Sequence, residues 1–190
     1  PVVGMVGRLP DAARAGRLGF AVEGDAIAFA GPFTPSLPGS ELAKLRGEPL
    51  PDGLPEVDVA KVRRAQEVVR DAVRRGELRS AHDVAEGGLA VALAECCLGG
   101  GHGAQVDFRG AGSDGESLLE TLFGEGAGGF VLSGPRPALA ALAREIQLTF
   151  VGEVGGSDLA FTLDSGATLS WPLAELRAAR ARGLADALDG

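Results

Sequence analysis

A helix that carries almost no charge constrains this fold more than any other feature of the sequence. Its pattern starts near Glu86, runs through Leu89, Leu93 and Cys96, and stops at the three glycines 99–101. A helix that is apolar on most of its sides must be buried on most of its sides. The segment is therefore expected to lie inside a layered domain and not on its surface.

Length and charge narrow the class of protein. The chain has 190 residues, of which 45% are hydrophobic and 23% charged, as in ordinary soluble globular domains. A net charge of -8 leaves no general electrostatic attraction to nucleic acid or to an anionic membrane. Neither a membrane span nor a signal peptide is recognisable. The adjacent Cys96 and Cys97 are predicted core residues in a reducing compartment, so a cytoplasmic location is expected.

Strand and helix patterns alternate irregularly along the chain. Two hairpins are predicted, one over residues 18–30 with a turn at 23–25, and one over 159–171 with a turn at 164–166. Further strands are predicted at 2–6, 104–108, 129–133 and 149–154, and helices at 59–75, 86–98, 117–122, 137–146 and from Pro172 onward. Hairpins imply antiparallel pairs, and strict βαβ alternation is missing. The fold class indicated is α+β, a mixed β-sheet flanked by helices.

A proline-rich loop occupies residues 31–57. Six prolines exclude a regular helix or a central strand there, apart from a short helical piece at 40–45. Loops of this length inside compact domains are often functional.

The most informative motif is SAHDVAEGGL, residues 80–89. Gly87 and Gly88 at a helix start each cost about 1 kcal/mol relative to Ala, so something should offset them. Either another backbone approaches closely, or a phosphate sits on the exposed N–H groups. The alternative makes Asp83 a cap and places His82 in a local hydrogen bond. The residues alone leave these readings open, and they predict no metal site.

A second glycine-rich stretch, LFGEGAGG, spans residues 122–129 just before a predicted strand. Its backbone N–H groups could cradle an anion, although the Lys-Ser/Thr pair of a P-loop is missing. The favoured interpretation from the residues alone is a flexible turn. The arginines of the helix at 59–75 alternate with acids and indicate a solvated face. No catalytic residue is predicted.

Residues 80–95, SAHDVAEGGLAVALAE, closely resemble the signature of the C-terminal domains of the aminoimidazole ribonucleotide synthetase superfamily. Within it, the family of phosphoribosylformylglycinamidine synthase (formylglycinamide ribonucleotide amidotransferase) fits best. Four other stretches agree with it in order and spacing: PVVGMVG at 1–7, GSEL at 39–42, LFGE at 122–125 and VGEVGG at 151–156. The resemblance covers nearly the whole chain, and it disfavours relatives such as selenophosphate synthetases or thiamin-phosphate kinases.

This resemblance implies a purine-biosynthesis ligase that uses ATP and magnesium, both held mainly by domains other than this one. The chain resembles the C-terminal domain of the second half of the synthetase subunit. The first half uses a Glu-Ser-Gln triplet to hold substrate; this chain has Glu125-Gly126-Ala127, where only the Glu matches. The candidate substrate- or nucleotide-binding residues are His82, Asp83, Glu86, Gly87, Gly88 and Glu125.

The resemblance also implies partners. They are the other domains of the same synthetase, a glutaminase subunit and a small accessory subunit. Residues 1–190 are expected to be one domain of a longer chain, inactive alone and with an exposed apolar patch where its partners would pack. The alternative is a non-catalytic nucleotide-binding or scaffold module.

Overall fold

The computed structural model describes residues 4–9, 11–53, 55–109 and 115–189, without the side chains of 115–116 and 184–189. The strands are β1 (Ala26–Ala30), β2 (Ser80–Val84), β3 (Ala104–Asp107), β4 (Gly129–Gly134), β5 (Leu148–Val154), β6 (Asp158–Thr162) and β7 (Thr168–Pro172). The helices are α1 (Glu41–Leu45), α2 (Val59–Arg75), α3 (Gly88–Gly100), α4 (Gly115–Phe123), α5 (Arg136–Leu142) and α6 (Leu173–Asp189). A single 3₁₀ turn, Ala12–Arg14, precedes β1 in the described chain.

One mixed sheet organises the described residues. Its strand order is β2-β4-β1-β5-β3-β6-β7. β3 and β6 are parallel, and every other neighbouring pair is antiparallel. The predicted α+β class with a mixed sheet is therefore confirmed. β2, which carries His82, lies at one edge of the described sheet, where its partner strand is β4.

Helices cover both faces of the sheet because side chains on a strand alternate between faces. Along β1, Ile27 belongs to a core beneath α3, whereas Ala26, Ala28 and Ala30 pack with α2 and α5 in a second core. The apolar helix α3 is buried as expected, with Leu93, Cys96 and Cys97 each 0% exposed.

Local signals set the ends of several elements. Asp58 caps α2 by accepting a hydrogen bond from the Lys61 N–H at 3.0 Å, and Gly76 ends that helix in the left-handed conformation. The hairpin β6–β7 and its turn are confirmed. The helix predicted at 137–146 starts one residue earlier and ends at Leu142, because a tighter turn follows in which Glu145 N–H bonds to the Leu142 carbonyl.

The predicted hairpin at 18–30 is wrong. Residues 18–22 form no strand, and β1 pairs with β4 and β5 instead. Phe20 is drawn into the core below α3, where it is 0% exposed and its N–H donates to the Cys96 carbonyl at 2.9 Å. A Cβ on Gly19 would come within 2.1 Å of the Gly100 nitrogen, so this arm packs on the end of a helix and not on a strand.

The strand predicted at residues 2–6 is not found either. Residues 2 and 3 lie outside the described chain, and residues 4–9 have no regular structure. Met5 and Val6 are exposed by 95% and 103%, so no neighbouring strand offers these residues a partner within the described structure. In the last helix, Leu173 is buried and Leu176 is partly buried, while the side chain of Leu184 lies outside the described part.

Candidate functional site

The carboxylate of Glu125 joins three segments that are far apart in the sequence. Its Oε1 atom accepts a hydrogen bond from the Gly87 N–H at 2.8 Å and another from the Glu41 N–H at 2.8 Å. Gly87 lies between β2 and α3, Glu41 opens α1, and Glu125 follows α4. The SAHDVAEGGL, GSEL and LFGE stretches therefore meet at one side chain, which we call the Glu125 junction.

The backbone reinforces the Glu125 junction. Glu125 and Ser36 each donate their N–H to the other's carbonyl at 3.0 Å, which ties the glycine-rich turn to the proline-rich loop. Ser40, only 1% exposed, caps α1 by accepting from the Ala43 N–H at 3.2 Å. The predicted short helix in this loop is thus confirmed, and the loop is ordered around it.

Backbone conformation at both positions, and close packing at Gly88, explain the two glycines of the β2–α3 turn. Both adopt left-handed backbone angles, with φ of +81° at Gly87 and +70° at Gly88. A Cβ on Gly88 would lie 2.7 Å from the Gly124 oxygen, 2.8 Å from the Phe123 carbonyl carbon and 2.9 Å from the Leu122 oxygen. The close backbone approach that the sequence analysis considered is therefore present. A phosphate at this helix start stays a prediction.

The glycines of the turn after α4 lie against the proline-rich loop. A Cβ on Gly126 would stand 2.6 Å from the Thr34 oxygen, and one on Gly129 would stand 2.7 Å from the Phe33 ring. The Gly124 N–H already donates to the Glu120 carbonyl at 2.8 Å. Tight packing accounts for these glycines, and an anion cradle here also stays a prediction.

His82 forms a second polar cluster beside the junction. Its Nε2 lies 3.0 Å from Glu95 Oε2, and its Nδ1 lies 3.2 Å from Asp83 Oδ1. Arg180 on α6 lies 3.2 Å from the other oxygen of Glu95. The His82 side chain is only 11% exposed, so the cluster holds the ring between the edge strand and α3. The local hydrogen bond that one of the two open readings gave to His82 is present.

The remaining predicted residues, Asp83 and Glu86, make no contact with the Glu125 carboxylate among the contacts described here. Asp83 does not cap α3, because Gly87 occupies the N-cap position and has no side chain with which to cap the helix. Its side chain is 69% exposed and contacts His82. Glu86 is exposed. The structure thus brings Gly87, Gly88 and Glu125 together, places His82 in a separate cluster, and leaves Asp83 and Glu86 exposed.

Nucleophilic and metal chemistry find no support in the described chain. Burial raises the pKa of the Cys97 thiol to about 12 and raises that of Cys96 further still, so both remain protonated. No group of three or more His, Cys, Asp or Glu side chains among the described residues could hold a metal ion. Within the same residues, no helix combines the length and apolar character needed to cross a membrane.

Sequence reasoning missed Glu41, Glu95 and Arg180. Glu95 had a signal, since it is the one charge within an otherwise apolar helix and implies a polar partner. Glu41 contributes its backbone N–H, which no side-chain pattern reveals. Arg180 meets Glu95 only because α6 packs on α3, and nothing local in the sequence announces that contact.

The mixed sheet of the α+β fold can now be compared with known families. Residues 4–164 match the family described as "AIR synthase related protein, C-terminal domain". The chain belongs to this family.

The curated relatives of this chain are subunits of one enzyme within that family. A phosphoribosylformylglycinamidine synthase subunit PurL of Anaeromyxobacter sp. (strain Fw109-5) is 39% identical over 189 residues, covering 93% of this chain and 24% of the relative. The PurL subunit of Frankia casuarinae is 40% identical over 156 residues, covering 82% of this chain and 19% of the relative. The chain thus spans about a quarter or less of the length of these curated relatives.

Solved structures share the fold. Thermotoga maritima PurL complexed with FGAR superposes with a TM-score of 0.69 at 17% identity, covering 87% of this chain and 30% of that chain. The hydrogenase maturation protein HypE in complex with ATP gives a TM-score of 0.56 at 18% identity, covering 84% of this chain and 53% of that chain. These likenesses confirm the α+β fold.

Proposed function

We propose that this chain is the C-terminal domain of the second half of a phosphoribosylformylglycinamidine synthase synthetase subunit. The observation that carries the proposal is the 39% identity to a PurL subunit along 93% of this chain, which amounts to 24% of that subunit. Residues 1–190 would then be one domain of a longer polypeptide. The departure from Glu-Ser-Gln at Glu125-Gly126-Ala127 supports placement in the second half.

The reaction of the whole subunit would convert formylglycinamide ribonucleotide, ATP and glutamine-derived ammonia to formylglycinamidine ribonucleotide, ADP and phosphate. The amide oxygen would be phosphorylated and then displaced by ammonia, so catalysis would rest on positioning and charge stabilisation. This domain would contribute no catalytic side chain. ATP and magnesium would be held mainly by other domains of the subunit.

Within that subunit the Glu125 junction would act as a structural clasp. Its carboxylate already accepts two backbone hydrogen bonds through Oε1, which commits that atom to holding the turn and loop together. The partners we propose are the sister domains, a glutaminase subunit and a small accessory subunit, in the cytoplasm. The shared fold with a chain of PurLQS from Thermotoga maritima, at a TM-score of 0.64, is consistent with this assembly.

A chimera tests the proposal. The matching quarter of the Anaeromyxobacter subunit is replaced by this chain, and amidine formation is measured with formylglycinamide ribonucleotide, ATP and ammonium. We expect turnover by the chimera and none by the 190-residue chain. Turnover by the chain alone would overturn the proposed dependence on other domains. A chimera that folds, as judged by circular dichroism and elution volume, yet is inert would overturn the assignment to this enzyme.

The second candidate is a non-catalytic nucleotide-binding or scaffold module. The observation that favours a non-catalytic role is that Glu125 Oε1 already accepts two internal backbone hydrogen bonds. Calorimetry with ADP distinguishes the two. Saturable heat from the chain, together with an inert but folded chimera, would support the module.

A further inference from the structure

A cavity of about 420 Å³ lies between the 3₁₀ turn and the C-terminal end of α2, and Ser80, the first residue of β2, is part of its lining. Its lining contains five arginines: Arg14, Arg17, Arg74, Arg75 and Arg79. No Asp or Glu is among the described residues that line it. We call it the arginine cavity.

The arginine cavity opposes the overall charge of the molecule. The chain carries 26 acidic against 18 basic residues, yet five of those basic residues surround one concave space. Like charges repel, so their gathering costs free energy unless anions compensate them. A concave lining of one charge sign raises the local concentration of the opposite ion.

Internal partners compensate some of these arginines. Arg75 makes a two-pronged ion pair with Glu77, at 2.7 and 2.8 Å. Arg14 lies 3.4 Å from Asp11 and also donates to the Arg74 carbonyl at 3.4 Å. These contacts hold the rim of the cavity in place.

Arg17 and Arg79 are different. Neither forms an ion pair within 4.0 Å, nor a side-chain hydrogen bond, with any residue that the structure describes. The charge of Arg79 does act at longer range on Asp25, where it lowers the carboxyl pKa against the larger effect of burial. Two guanidinium groups thus offer free planar donor forks at one cavity. Such forks match the oxygens of phosphate better than any other side chain.

An alternative explanation for the clustering of these arginines is that they neutralise the negative end of the α2 dipole. Two of the last-turn carbonyls already accept backbone hydrogen bonds: Val73 accepts from the Gly76 N–H at 2.9 Å and Ala72 from the Glu77 N–H at 3.0 Å. Arg14 donates to the Arg74 carbonyl, and Arg74 and Arg75 already place two cations in the last turn of α2, so the dipole does not explain Arg17 and Arg79. Arg79 immediately precedes β2, and Arg17 lies between the 3₁₀ turn and β1, so neither residue belongs to α2.

We infer that the arginine cavity binds a small molecule through a phosphate or diphosphate group, with Arg17 and Arg79 as its principal donors. The cavity volume falls in the range of about 300–1,000 Å³ typical of small-molecule sites and exceeds what a single ion needs. The inference concerns this chain's own residues and does not depend on the proposed function.

Calorimetric titration of the chain with inorganic pyrophosphate tests the inference. The test variant is R17Q/R79Q. The matched control, R63Q/R144Q, also removes two positive charges, but from exposed positions outside the cavity. We expect saturable one-to-one binding by the parent chain, at least about tenfold weaker binding by R17Q/R79Q, and little change in the control.

Three outcomes would overturn the inference. One is the absence of saturable binding by the parent chain. Another is an equal loss in R63Q/R144Q, which would indicate attraction to net charge and not a site. The third is equally tight binding of citrate, which would show that the cavity takes any polyanion and does not select phosphate. Circular dichroism of both variants confirms that their fold is intact before the affinities are compared.

Discussion

Replacing Gly88 by Ala probes the contact on which the β2–α3 turn depends. At φ of +70° an L residue is strained by roughly 1–2 kcal/mol. The added Cβ would also meet three backbone atoms at 2.7, 2.8 and 2.9 Å, and backbone cannot rotate away as a flexible side chain can. Overpacking of this kind costs roughly 1–3 kcal/mol. The two effects together predict a loss of roughly 2–5 kcal/mol in the free energy of unfolding.

Gly76→Ala is the matched control. Gly76 has φ of +71°, and a Cβ there would meet nothing within 4 Å, so the variant measures backbone strain alone. Urea unfolding followed by circular dichroism gives both free energies, and domains of this size lose roughly 2–4 °C of melting temperature per kcal/mol. Gly88→Ala should exceed its control by roughly 1–3 kcal/mol. Equal losses in the two variants would refute the argument that backbone contact requires the glycine.

Three further predictions follow from other residues. Glu125→Ala should lower the free energy of unfolding by about 2 kcal/mol, because two backbone donors lose their acceptor. Glu125→Gln keeps an acceptor oxygen and should lose less stability. Equal losses of the two variants in urea unfolding would contradict this prediction. Asp25 is 7% exposed, its Oδ2 has no hydrogen-bond partner in the described structure, and burial raises its pKa. The folded chain therefore holds this proton more tightly than the unfolded chain, and it loses stability as pH rises from the ordinary pKa of Asp25 through the raised one. Asp25→Asn should thus be more stable than the parent at neutral pH and lose that advantage at acid pH. Denaturation midpoints that show no pH-dependent difference between the two proteins would argue against this prediction. Cys96 and Cys97, both 0% exposed with raised pKa values, should not react with a thiol reagent until urea unfolds the chain, and rapid labelling of the native protein would disprove their burial.

Elements with local causes were predictable from the sequence. The helix between Asp58 and Gly76 has a capping side chain at one end and a left-handed glycine at the other, and both act within a few residues. The β6–β7 hairpin carries its turn between its strands. The burial of α3 follows from its composition alone, because a helix without a polar face has no side to give to water.

Only the tertiary structure decided which distant segments meet. The expected hairpin partner of β1 is not a strand: Phe20 is buried under α3, which removes its apolar surface from water, and β4 and β5 pair with the two edges of β1. The three motifs were visible in the sequence, but their meeting at Glu125 joins residues separated by 38 and 84 positions. The arginine cavity likewise combines a helix end, a strand start and a 3₁₀ turn. Pairings of this kind arise from packing of the whole chain, whereas sequence patterns report the preferences of neighbours along it.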